Sequence, residues 1–412
     1  MKKLFILSLV ALAASGAGAR HMGVEVDKSH DLWWNAPERP VLNLSLSDTT
    51  GGANAAELHV WLTADTMSDV AVFDTVCAVQ LPARMSIDLP IANPGFYRCY
   101  VADDGNVVEE FVIGYEPTNI VSLPDAQPDF DEFWARAKAE LAQVPVDLTL
   151  TLVPERCGEK RDIYMCTYRS WGGDTIDACV AIPKQPGKYP AQVYFNGYGG
   201  KPWSLDADGR PDWIEMQASV RGQFFSEPRN SYGDWIRYHL DDPDTYYYKG
   251  AYMDAVRALD VLEQLPGADK ERLYAEGGSQ GGALTLVAAA LGDGRLRAIA
   301  PYIPFMSDFP DYFRIVGWPA SAVKEAASEL GLSDGQMYRN LSYFDIKNLA
   351  RRIECPVFMG IGLQDPVCPP HTNMSGYNLI TSPKELRIYR DCGHTVDYSD
   401  WNSRRDAFFG KW

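Results

Sequence analysis

Histidine is scarce in this chain, with six residues in 412, and no two of them stand three to five positions apart. A zinc hydrolase gathers its ligands from such spacings and from a His-Glu motif, so a metal-dependent hydrolase is disfavoured. Cysteine is thin as well: eight in so long a sequence are too few for a disulfide scaffold. Isolated bridges are still open to it. Cys77 and Cys99 are either such a pair or two buried thiols, and buried thiols are the better reading of Cys355, Cys368 and Cys392. Positive charge is also short, 38 Lys and Arg against 55 Asp and Glu for a net charge of −17, which opposes binding to nucleic acid or an anionic membrane surface. Long apolar runs are missing beyond the first residues. There, Met1-Lys2-Lys3, the run Leu4 to Ala14 and Ala17-Gly18-Ala19 have the charged, apolar and small-residue regions of a secretory leader, with cleavage expected after Ala19. The run is too short to cross a hydrocarbon core, which takes about 20 residues. The expectation is a soluble, exported protein, periplasmic or secreted, with a small or neutral substrate.

With 46% hydrophobic residues, the chain can bury a large core and a small one. Residues 20–117 alternate apolar and polar positions in short stretches such as Val41 to Leu46, Glu57 to Leu62, Ser86 to Leu89, Phe96 to Val101 and Val107 to Ile113. These predict the strands of an Ig-like antiparallel β-sandwich, with a hairpin turn at Asp103-Asp104-Gly105-Asn106. Trp33, Trp34 and Trp61 of this region are either core residues or aromatic faces for stacking on sugar rings. Glu116 to Gln127 holds Pro117 and Pro124 without periodicity and reads as a linker. Residues 118–412 then change character. An amphipathic helix opens at Asp129, continuous apolar strands occur at Ala191 to Phe195 and Pro356 to Ile361, and Tyr252 to Leu265 has helical spacing. That alternation predicts an α/β domain, a mostly parallel sheet covered by helices on both faces.

Gly277-Gly278-Ser279-Gln280-Gly281-Gly282 is the most informative stretch. It follows a strand-like Arg272 to Glu276 and precedes an apolar helix, Ala283 to Leu291, which is the context of a nucleophile elbow. A serine hydroxyl needs a base to take its proton and a third group to fix the base's tautomer. Only His371 and His394 follow Ser279. His394 comes after a strand-like Leu386 to Tyr389, close to the C-terminus, where an α/β hydrolase places its base. His371 opens a helix after Pro369-Pro370, and a capping or surface role is expected for it. Asp365, at the C-terminal end of the buried strand Val357 to Ile361, is the chosen acid, whereas Asp391, Asp397 and Asp400 read as loop carboxylates. The N–H of Gln280 supplies one oxyanion donor, and that of Tyr198, in the loop Phe195 to Gly200, supplies the other. No Lys-Ser/Thr pair follows these glycines, so the loop is no phosphate cradle.

At these residues the chain resembles the acetyl xylan esterase and cephalosporin C deacetylase family, carbohydrate esterase family seven. The likeness runs from about Asp129 to Trp412. It is carried by the elbow, by Arg221-Gly222-Gln223, by Asp244 to Gly250 with Tyr252 to Ala258, and by Gly362-Leu363-Gln364-Asp365 with Cys368-Pro369-Pro370. It implies an α/β-hydrolase fold, removal of acetyl groups from sugars or small esters, the triad Ser279, Asp365 and His394, no cofactor or metal in the chemistry, and assembly as a hexamer. The Arg221 tripeptide is expected to hold active-site loops in place. Three features depart from the family: Thr395 stands where Glu commonly follows the histidine, the Tyr198 loop is one residue tighter, and the segment after Gln223 lacks the usual glycine. The N-terminal region lies outside the likeness. The rival readings are an exported serine peptidase of the same fold and a noncatalytic carbohydrate-binding protein on a hydrolase scaffold.

Overall fold

Apolar residues at every second position put one face of a strand inward and the other outward, and the first part of the chain is all-β accordingly. The computed structural model describes residues 22–49 and 55–412; the expected leader, residues 1–19, lies outside the described residues. Strands β1 (Met22–Val26), β2 (Trp33–Trp34), β3 (Val41–Asp48), β4 (Ala55–Ala64), β5 (Met67–Gln80), β6 (Ala83–Asp88), β7 (Gly95–Asp103) and β8 (Asn106–Tyr115) come first. They form a three-stranded sheet in the order β1-β3-β6 and a five-stranded sheet in the order β2-β8-β7-β4-β5, burying Leu42, Leu44 and Leu46 of one and Leu58, Val60, Leu62 and Val101 of the other. Asp103 pairs with Asn106 across a turn in which Asp104 has φ 46° and Gly105 φ 79°, the positive angles a two-residue hairpin of matching twist requires. Alternation misses β5. It is an edge strand with Val70, Val72 and Val76 exposed and Phe73, Cys77 and Val79 partly buried against the core, so apolar residues stand on both of its faces.

The Cys77–Cys99 bridge does not form, because β4 lies between their strands: Cys77 stands opposite Leu58 and Cys99 opposite Leu62. All eight cysteines are free thiols. Trp34 is buried, Trp33 meets the Phe96 ring edge-on at 5.6 Å, and Trp61 stacks on Tyr100 at 4.9 Å.

The second part follows in the order α1 (Phe130–Ala142), β9 (Thr149–Leu152), β10 (Arg161–Arg169), β11 (Thr175–Pro183), β12 (Tyr189–Phe195), β13 (Ile214–Ala218), α2 (Tyr247–Gln264), β14 (Ala268–Gly278), α3 (Gln280–Leu291), β15 (Ala298–Tyr302), α4 (Phe309–Ile315), α5 (Ala320–Glu329), α6 (Asp334–Ser342), α7 (Ile346–Leu349), β16 (Val357–Gly362), α8 (Pro370–Leu379), β17 (Lys384–Tyr389) and α9 (Tyr398–Phe409). Its strands make one nine-stranded sheet, β17-β16-β15-β14-β12-β13-β11-β10-β9. The run from β13 through β17 is parallel, and β11, β10 and β9 complete the edge antiparallel. Every residue of β15 and β16 is buried, as expected of strands covered on both faces. Helix α3 is apolar on nearly all sides and almost wholly buried, a core helix of the kind that carries no polar face. Among the described residues, no helix is long and apolar enough to cross a membrane.

The two parts share one contiguous buried cluster, and their seam is specific. The Gln364 side chain pairs with the backbone of β8 like a further rung of the sheet: its Oε1 accepts from Val112 N at 2.7 Å, and its Nε2 donates to Val112 O at 3.1 Å. The same Nε2 donates to Arg390 O at 3.0 Å. Arg390 in turn donates to Lys28 O at 2.7 Å and to Asp31 at 2.9 Å. The surface role expected for His371 is overturned. Its side chain is only 10% exposed, held between Asp65 Oδ1 at 3.2 Å and Asp311 Oδ2 at 3.3 Å, because the β4–β5 turn of the sandwich packs over the start of α8.

Candidate active site

Ser279 joins β14 to α3 with φ 58° and ψ −121°, a backbone conformation that lifts its hydroxyl to the apex of the turn. The turn is tight enough to require glycine at position 281, where a Cβ would fall 2.1 Å from Phe195 O. Asp365 follows β16. It is 3% exposed, and its Oδ1 accepts from the N–H groups of Val367 at 2.8 Å and Cys368 at 2.9 Å, which fixes the carboxylate's direction. Its Oδ2 lies 2.9 Å from His394 Nδ1, and His394 Nε2 lies 3.0 Å from Ser279 Oγ. With the Nδ1 proton directed at Asp365, Nε2 is free to accept from the serine. The structure thus brings Ser279, His394 and Asp365 into one relay.

The other carboxylates near His394 are engaged elsewhere. Asp391 meets Lys28 and Arg390, Asp397 caps α9 by accepting from Ser399 N and Asp400 N, and Asp400 accepts from Arg387 and Tyr389. Thr395, in place of the family's Glu, turns its hydroxyl to Val396 O at 3.3 Å.

Gln280 is the first residue of α3, so its N–H has no acceptor within the helix. Its side chain is fully buried and locked: Oε1 accepts from Tyr248 Oη at 3.0 Å and Nε2 donates to Gln223 Oε1 at 3.1 Å. Gln223 Oε1 also accepts from Gly199 N at 3.1 Å. One amide therefore holds both the elbow and the loop that carries Tyr198. Tyr198 itself lines the cavity at Ser279, its hydroxyl donating to Asp234 at 3.2 Å.

Arg221 and Gly222 precede this clamp. Arg221 donates to Asp254 from its backbone N at 2.9 Å, from Nε at 2.9 Å and from a terminal nitrogen at 2.7 Å, and it meets Asp174 at 2.9 Å. Its guanidinium lies across α2 at Gly250, where a Cβ would come within 2.3 Å of it. The tyrosine-rich start of α2 completes the frame, with Tyr247 Oη donating to Arg221 O at 2.7 Å. In the segment after Gln223, which lacks the family's usual glycine, Phe224 has φ 57°, left-handed backbone that strains a bulky residue. Its buried ring packs against Trp203 and Phe225.

Ser279 and His394 open on a cavity of about 250 Å³ whose walls include Ile236, Phe305, Trp318, Val367 and Cys368. Trp318 is 61% exposed at the rim. The Cys368 thiol is no rival nucleophile, since burial pushes it well above the ordinary thiol range and the thiolate is the reactive form. Larger clefts open elsewhere, one of about 490 Å³ beside Trp203 and Trp401, but no serine and histidine converge there. Residue types alone did not reveal Asp234, Phe305 or Trp318, which come from irregular segments and the α4–α5 connection. Asp254 stood within a quoted motif without a role.

Residues 120–409 match the acetyl xylan esterase (AXE1) family. The acetyl esterase Axe7A of Xylanibacter ruminicola is 31% identical over 323 residues, covering 74% of this chain and 72% of that protein. Among solved structures, an acetyl xylan esterase from Paenibacillus sp. R4 is similar with a TM-score of 0.67 and 31% identity, covering 72% of this chain and 98% of the other. Acetyl xylan esterase 1 from a Thermoanaerobacterium species gives 0.65 and 26%, over 70% and 96%. A strained serine at a strand-to-helix turn, a histidine and a buried aspartate in the expected chain order, and a family match over the whole second part agree: the chain belongs to the acetyl xylan esterase family and is a carboxylic-ester hydrolase that acts on acetyl esters.

Proposed function

We propose that the protein removes acetyl groups from acetylated xylo-oligosaccharides or closely related small esters, cephalosporin C among them, through an acetyl-serine intermediate. The observation that carries this reading is the Asp365–His394–Ser279 relay opening on a small apolar cavity. His394 takes the Ser279 proton as Oγ attacks the acetyl carbonyl, and the N–H groups of Gln280 and Tyr198 receive the oxyanion. The sugar alcohol leaves with the proton from His394, and water repeats the sequence on the acetyl-enzyme. Trp318, exposed at the rim, offers a sugar ring an aromatic face. The leader-like start supports export, and the family likeness supports a homo-oligomer.

Because the cavity walls are bulky and fixed, each added methylene in the acyl group must compete for the same space. We expect kcat/KM on p-nitrophenyl butyrate to be lower than on the acetate by about 10-fold or more, and lower again on the octanoate. Comparable rates on octanoate would remove the acetyl-ester reading. Acetate release from acetylated xylo-oligosaccharides, measured beside cephalosporin C and other acetylated glycans, then ranks the leaving groups.

A further inference from the structure

Away from the catalytic relay, the described residues gather a second cluster of chemistry at the seam between sandwich and hydrolase. Asp308 and Asp311, at and just inside the start of α4, and His371, at the start of α8, place donor atoms all within 4.8 Å of one another. Each carboxylate has one oxygen on a cation, Asp308 Oδ1 on Lys347 Nζ at 3.1 Å and Asp311 Oδ1 on Arg314 at 2.8 Å. The second oxygen of Asp311 faces His371 Nε2 at 3.3 Å. The second oxygen of Asp308 is buried with no hydrogen-bond partner, in a residue 1% exposed. On the far side of the imidazole, Asp65 Oδ1 stands 3.2 Å from Nδ1, while Asp65 Oδ2 is buried without a partner. Buried polar atoms are normally satisfied, so the orphaned Asp308 oxygen beside Asp311 and His371 points to an occupant.

We propose that Asp308, Asp311 and Nε2 of His371 bind one divalent transition-metal ion of the zinc type, with Asp65 of the sandwich orienting the imidazole from behind. Imidazole nitrogen and carboxylate oxygen suit such an ion, whose bonds of about 2.0–2.2 Å in a tetrahedral shell set neighbouring ligand atoms roughly 3.3–3.5 Å apart. The 3.3 Å between His371 Nε2 and Asp311 Oδ2 is such an edge. A carboxylate behind a ligating histidine is the usual outer support of these sites. The ion takes no part in ester hydrolysis. It ties the β4–β5 turn to α4 and α8, and α4 reaches the acid loop directly, since Tyr312 Oη donates to Val367 O at 3.0 Å.

The test uses the full chain, stripped with a chelator and titrated with Zn²⁺ by calorimetry and with Co²⁺ by visible absorption. The expected result is one equivalent per chain, tetrahedral cobalt bands without the thiolate charge-transfer absorption that cysteine ligands would add, and a raised melting temperature in the loaded protein. Asp308→Asn and His371→Gln should abolish uptake, and Asp65→Asn should weaken it by about 10- to 100-fold. Should those variants fail to fold, the unsubstituted chain decides alone. No saturable uptake by it, cobalt spectra of thiolate type, or uptake unchanged in Asp308→Asn overturns the proposal. The cluster is then an ion triad around a protonated His371, which burial alone would disfavour but Asp65 and Asp311 hold charged up to about pH 10.

Discussion

Replacing Ser279 with alanine is expected to cut turnover of p-nitrophenyl acetate by at least about three orders of magnitude, with a melting temperature close to the parent's. The two halves of this expectation rest on different observations. Activity falls because Ser279 Oγ is the atom within 3.0 Å of His394 Nε2 and no second nucleophile stands by, the Cys368 thiol being held protonated by burial. Stability persists because a single hydroxyl is lost and the elbow is held by other bonds. Ser279 N donates to Tyr302 O at 3.1 Å, and Phe305 N donates to Ser279 O at 3.0 Å, neither of which needs the side chain. His394→Ala should fall to a similar floor, and the double variant should fall no further, since residues acting as a unit do not add. More than a tenth of the parental rate in Ser279→Ala would remove the serine from the mechanism.

The largest loss of stability is expected from Asp254→Ala. Asp254 is fully buried and accepts three bonds from Arg221 and a fourth from Ser170 Oγ at 2.5 Å. Without it, the guanidinium of Arg221, itself 4% exposed, keeps the half-exposed Asp174 and the carbonyl of Trp171. Breaking a buried pair from one side costs about 3–5 kcal/mol, and with Asp174 as the one carboxylate left to Arg221 the loss is expected near the lower end, lowering the melting temperature on the order of 10 °C. Activity should drop as well, because Arg221 leads into the Gln223 amide that holds Gly199 and Gln280. Asp254→Asn, which keeps the shape and loses the charge, should sit between the two. Melting of Asp254→Ala within a degree or two of the parent would show that the pair is not under load.

What was legible in the sequence was whatever is local. Gly277 to Gly282 encodes its own turn, because a Cβ at position 277 would fall 2.5 Å from Gly281 O within the same turn. Chain order points to His394 and Asp365, and in the fold His394 stands between Ser279 and Asp365. The continuous apolar runs at β12 and β16 likewise carry their burial on their face. The segment after Gln223 was legible as a departure, but the strain at Phe224 was not, since φ is a property of the folded loop. The cavity walls were not legible: Phe305 and Trp318 stand in segments with no period, and their meaning comes only from where α4 and α5 set them. The burial of His371 escapes the sequence for a related reason. Its helix-start position suggests a cap, while its actual partner, Asp65, belongs to the sandwich and is brought to it by packing that no spacing announces.

Gln364, whose amide completes a rung on β8 through Val112, has one further consequence. It immediately precedes Asp365, and the same amide reaches Arg390, four residues before His394. Acid and base thus hang from loops that share an anchor in the sandwich. A fluctuation that frees β8 passes to both at once, so the sandwich and the catalytic relay should lose order as one cooperative unit. On heating, the temperature that halves esterase activity is expected to coincide with the onset of hydrogen–deuterium exchange in β8 peptides. Activity that survives well beyond that onset would mean the hydrolase holds its loops unaided. Where the two coincide, the heat tolerance of this esterase is set in a region that carries none of its chemistry.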